Sequence, residues 1–399
     1  MTILTRSLVL GCSALALAGC GADKIASPGT GGNITINNPP APAPTPTPTG
    51  PATVVAAGGC PTIADGQGLA DRGTLSGPTG SYRVCAMPAR FNTSSTLPYI
   101  RGVLYLMDGR VDVGTDGGPS PDASDGLSDT NVTLTIEPGV IVYSSGASFL
   151  NVNRGNRINA VGTAARPIVF TSRDNVVGFN TDTSSGQWGG VVLSGRAPVT
   201  DCIASGATPG TTQCERQVEG AAQPAIYGGA TVADNSGTMR YVQIRYSGFV
   251  LSGDSELQSL TTGGTGTGTQ LSHIQSHNSS DDGVEFFGGR VNLKYLIVTG
   301  SEDDSIDVDT GVKANIQYAI AIQRAGAGDT IIEGDSTNVF EDQTPRTNLQ
   351  LSNATFIQRR TGDQVIRLRG GMDASIVNSV VIDGSAGTAC LRLDDASTT

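Results

Sequence analysis

Two short segments carry most of the chemistry available to this 399-residue chain: SSDDGVEFFGG around residue 282 and SEDDSIDVDTG around residue 304. Asp281, Asp282 and Glu285 in the first recur 22 positions later as Asp303, Asp304 and Asp307 in the second. Val284, Phe286 and Gly289 recur at the same interval as Ile306, Val308 and Gly311. Converging carboxylates supply the hard oxygen ligands that calcium prefers. Crowded without a partner, they raise one another's pKa until a cation or a hydrogen-bond donor neutralises them. The candidate calcium ligands are Asp281, Asp282, Asp303, Asp304, Asp307, Asp309 and Asp329; the last matches Asp303 one repeat further on, after an insertion in RAGAGD. A purely structural alternative stands beside this one. Asp-Asp-Gly and its relatives form turns whose carboxylates accept backbone N–H bonds, with solvent screening the rest.

The repeat also says what must position these acids. A fixed interval in the twenties, strand-length apolar alternation and few helix signals describe a solenoid in which strand stacks on strand. Aligned coil by coil, Val284, Ile306, Ile332, Ile366 and Leu391 form an apolar column. Phe286, Val308, Gly334, Leu368 and Leu393 form a second column two residues on, as an inward face demands. A third inward column runs through Leu271, Leu293, Ile316, Leu351 and Ile376. Between the first two lies an outward column of Glu285, Asp307, Glu333, Arg367 and Arg392. Strand neighbours sit about 4.8 Å apart, so Glu285 and Asp307 stack at nearly that distance. The 54 glycines and single Trp fit turn-rich β structure better than a helical bundle. The expected fold is all-β, a parallel β-helix with coils of about 22–26 residues.

Upstream, residues 134–172 have the same character of short strands punctuated by Gly, Asn and Pro, and QWGGVVLSGRAPV fits the coil that follows. This stretch resembles the first coils of exported bacterial right-handed parallel β-helix proteins, the pectin-lyase-like class, over residues 130–399, with an amino-terminal cap at 60–129. The resemblance implies a fold more than an activity, because that fold hosts lyases, hydrolases and adhesins alike. Asp303-Asp304-Ser305-Ile306 is similar to the paired-acid segment of polygalacturonase-type hydrolases. The Gly-His-Gly and Arg-x-Lys of that pattern are missing here. Pectate-lyase-like enzymes combine calcium-binding acids with an Arg base on stacked strands, which makes Glu285, Asp307, Glu333 and Arg367 the catalytic candidates. The bland reading of the same column is a solvated salt-bridge ladder. His273 and His277, the two histidines, lie about 13 Å apart on a strand, too far to share a metal. GGTGTGTQ at 263–270 lacks the strand-to-helix setting of a phosphate loop.

The first 20 residues, MTILTRSLVLGCSALALAGC, read as an export signal. Leu17-Ala18-Gly19-Cys20 resembles the bacterial lipobox, which implies lipidation of Cys20; an ordinary cleaved signal is the alternative. Gly21 and Ala22 then point to the outer membrane by the same resemblance. Residues 21–59, rich in Pro, Thr and Gly, read as a tether favouring polyproline II, with plain disorder and no spacing role as the alternative. Cys60 with Cys85 and Cys202 with Cys214 are plausible disulfides in an oxidising compartment. Cys390 is left over, and the strand pattern still runs at LRLDDASTT, so a truncated carboxyl end is expected. The net charge of −11 argues against nucleic acid. Together these features describe a lipid-anchored envelope protein that binds a polysaccharide or another envelope protein. A calcium-dependent polysaccharide lyase is the alternative.

Overall fold

The computed structural model describes residues 53–399, except 220, 222, 253–254, 337–342, 361–363 and 385–387. The signal at 1–20 with Cys20, and the tether up to residue 52, lie outside the described residues. Period-two alternation builds the strands. In Arg290–Thr299, Val291, Leu293, Leu296 and Val298 turn inward while Asn292 and Lys294 face out. The alternation slips at Tyr295, whose left-handed backbone (φ 62°) turns the strand through a corner. His273, Tyr318 and Asn353 occupy the same corner in Gln270–His277, Lys313–Ile322 and Asn348–Ile357.

Among the described residues, the coils stack into one fifteen-stranded and one ten-stranded sheet. In the ten-stranded sheet every pairing from Arg90–Phe91 to Ala389–Leu393 is parallel. The expected columns are register partners: Val284, Ile306, Ile332, Ile366 and Leu391 pair in turn, as do Phe286, Val308, Gly334, Leu368 and Leu393. The column from Leu271 to Ile376 does likewise on the long sheet. Gly334 fits an apolar column because Met372 fills its place; a Cβ there would meet the Met372 Sδ at 2.4 Å. In the last coil Leu391 and Leu393 are about half exposed.

Parallel pairing also reaches back into the segment assigned to a cap. Gly80–Ala86 already pairs in parallel with Val103–Leu106, and Arg90–Phe91 with Val111–Val113. Among the described strands of the long sheet only Ala70–Gly77 lies antiparallel, at the edge. These early coils were hidden because loops between them break the interval. The single α-helix among the described residues is Arg173–Val177. Cys60–Cys85 and Cys202–Cys214 are disulfides, and Cys390 is free and exposed.

Candidate functional site

The outward face of the ten-stranded sheet positions the acids. Glu285, Asp307, Glu333, Arg367 and Arg392 are successive register partners on Val284–Phe287, Ile306–Asp309, Ile332–Gly334, Gln364–Leu368 and Ala389–Leu393. The Gly-Gly and Thr-Gly after the first two strands turn the chain at corners: Gly288, Gly289, Thr310 and Gly311 all have left-handed backbones.

The column leaves the core but is not open to solvent throughout. Glu285 is only 8 % exposed, because insertions between the preceding coils wall it in. Those insertions place Glu219, Glu256 and Gln258 beside Asp281, Asp282, Asp303, Asp304 and Asp307 around a cleft of about 450 Å³. Val192, Val199, Val218, Ala225, Tyr227, Leu257 and Phe287 pack beneath them, and the Cys202–Cys214 disulfide ties the first insertion. Repeat periodicity does not reach Glu219 and Glu256, which sit in segments without coil spacing. The nearest sequence signal is the close cysteine pair marking the loop.

Part of the turn-forming alternative holds for the paired acids. Asp282 Oδ1 accepts the Asp304 backbone N–H at 2.9 Å, and Asp304 Oδ1 accepts the Thr330 N–H at 2.6 Å and the Thr330 hydroxyl at 2.7 Å. Gln258 Nε2 donates to Asp281 Oδ2 at 3.1 Å. These donors do not satisfy the centre of the cleft. Asp307 Oδ1 is shut off from solvent with no hydrogen-bond partner. Among the described residues, no Lys, Arg or His forms an ion pair with Asp281, Asp282, Glu285, Asp303, Asp304 or Asp307. Burial, reinforced by Asp303 and Glu256, pushes Asp281 up to about 7. Burial and the neighbouring acids hold Asp282, Glu285, Asp304 and Asp307 well above the usual carboxylate range.

Four overlapping triads offer oxygens within 4.8 Å of one another: Asp281, Asp282 and Asp303; Asp282, Glu285 and Asp307; Asp303, Asp304 and Asp329; Asp304, Asp307 and Glu333. The donor set is all carboxylate oxygen, which fits a hard divalent cation such as calcium. Asp309 is not brought into these triads. It sits two residues beyond Asp307, where burial and Asp335 raise it to about 7. Asp329 pairs with Arg360 as well as joining a triad.

Arg367 does not line the cleft. It donates to Glu333 at 3.1 Å and to Asp394 at 2.8 Å, and Arg369 reaches Glu333 at 3.0 Å. Those carboxylates bind the charged guanidinium and hold Arg367 above its ordinary value, against the effect of its own burial. An arginine so held is poorly placed to accept a proton. The histidines stand elsewhere: His273 is stacked between Tyr241 and Tyr295, with ring centroids at 4.1 and 4.3 Å.

Among the described residues no helix is long and apolar enough to cross a membrane. The two disulfides are those of a protein exported to an oxidising compartment. No curated protein matches the chain. No solved structure matches it either. Residues 125–399 do match one protein family, described as a pectate-lyase-like beta helix domain, and the stacked parallel coils have the architecture that this description names. On that match, which spans more than half of its length, the chain belongs to the pectate-lyase-like β-helix family.

Proposed function

We propose that this protein is a cell-envelope binding module that holds an acidic polysaccharide through divalent cations, calcium foremost, lodged in the cleft around Glu285 and Asp307. The observation that carries the reading is Glu285 itself. It is more than nine-tenths buried, has no ion-pair or hydrogen-bond partner among the described residues, and sits in register with Asp307. Burying an unpaired carboxylate is costly unless it is protonated or meets a cation. A calcium ion held by one wall of carboxylates keeps coordination sites for the carboxylates of a uronate chain, since it takes about six to eight oxygens. Export and lipid attachment at Cys20, with an outer-membrane address, complete the reading; Cys20 lies outside the described residues.

Adding calcium to chelator-treated protein is expected to raise its melting temperature and to increase its retention of polygalacturonate at least tenfold. Asp307→Asn, which touches two triads, removes both effects. A calcium-blind melting temperature together with unchanged retention sinks the proposal. Unsaturated products that disappear in Arg367→Ala would instead establish the calcium-dependent lyase.

A further inference from the structure

A second groove lies on the other sheet, on the half of each long strand that precedes the corner. It is a trough of about 690 Å³ running across several coils. Asn292, Asn315 and Gln350 stand in register along it, with Gln270 one coil before, and the Asn315 amide donates to Asn292 Oδ1 at 2.9 Å. A neighbouring row carries Arg240 and Lys294, both register partners of Ser272 and therefore two coils, about 10 Å, apart. Arg240 lies over the Tyr241 ring at 5.2 Å. Neither cation has an ion-pair partner among the described residues, and none of the residues lining the trough carries a carboxylate.

In a chain of net charge −11, the trough sets two cations among neutral side chains with no carboxylate in its lining. We infer that the trough is a calcium-independent seat for a linear polyanionic glycan, its carboxylates meeting Arg240 and Lys294 and its hydroxyls meeting the amide row. The trough runs along the stacking axis, so an extended polymer fits it better than a compact ligand does. Two separated cations among neutral amides suit sparse carboxylates on a hydroxyl-rich chain. A nucleic-acid backbone demands a continuous basic face. The inference stands apart from the acidic cleft and uses none of its residues.

The test is affinity electrophoresis of the full-length protein through polygalacturonate in excess chelator, which silences any cation-bridged binding. Retention is expected, weakening as salt rises. Arg240→Glu combined with Lys294→Glu should reduce it at least tenfold with the melting temperature unchanged, since both side chains are exposed. Lys294→Gln alone should give an intermediate loss, while Asp307→Asn leaves retention intact. Absence of retention, retention by the double variant within twofold of the parent, or equal retention by neutral dextran or single-stranded DNA overturns the inference.

Discussion

At Glu285 the chain keeps a carboxylate where its charge is poorly tolerated. Unfolded, such groups titrate at about 4. In the fold burial raises Asp281 and Asp309 to about 7 and lifts Glu285 and Asp307 well above the ordinary range. The folded protein therefore binds more protons than the unfolded chain between those values, and its stability falls with rising pH across that window. The contribution is complete below about pH 4 and is lost as pH climbs through about 7. Thermal melts in chelator should show this decline, and calcium should oppose it. Glu285→Gln removes the charge while keeping the shape. In chelator at pH 8 it is expected to stabilise by about 1–2 kcal/mol, at roughly 2–4 °C per kcal/mol, and to change little at pH 4. A lower melting temperature for Glu285→Gln at pH 8 would mean that Glu285 is already neutralised by groups within the protein.

Strands and loops differ in how far the sequence discloses them. The strands that repeat every 22–26 residues announce their own neighbours: Glu285, Asp307 and Glu333 are partners in space because they are partners in the alignment. Two features escape that logic. The corners at Tyr241, His273, Tyr295 and Tyr318 lie inside runs that read as uninterrupted strands. Their left-handed backbones are strained for non-glycine residues, and ring stacking at 4.1–4.9 Å accompanies them. The insertions that bring Glu219 and Glu256 over the cleft follow no period, since a solenoid tolerates loops of any length at its corners. The disulfide is what the insertion has in place of repeat stacking. Replacing Cys202 and Cys214 by Ser opens a 12-residue loop and is expected to lower stability by about 2–3 kcal/mol. It should also weaken calcium binding several-fold, because Glu219 loses its fixed position. Calorimetric titration of the double variant decides: unchanged calcium affinity would show that the insertion only shelters the cleft.

The stacked coils of the described residues form a nearly one-dimensional array, each pairing with the one before and the one after, so stability in such an array is a sum of local terms joined by neighbour contacts. A ligand bound at one level should therefore protect that level and fade with distance, in contrast to a globular domain that gains protection everywhere. The acidic triads span the strands Val284–Phe287, Ile306–Asp309 and Ile332–Gly334, whereas Val111–Val113 and Leu150–Val152 lie several coils away on the same sheet. Amide hydrogen exchange with and without calcium should show slowed exchange in the first three strands and no change in the last two. The long-sheet strands of the same coils, such as Arg290–Thr299 and Lys313–Ile322, should gain a smaller share, because the chain passes directly between them and the acidic strands. Uniform protection along the array would mean that the coils unfold as one unit. Protection confined to the upstream coils would place the cation outside the acidic cleft and remove the basis of the calcium reading.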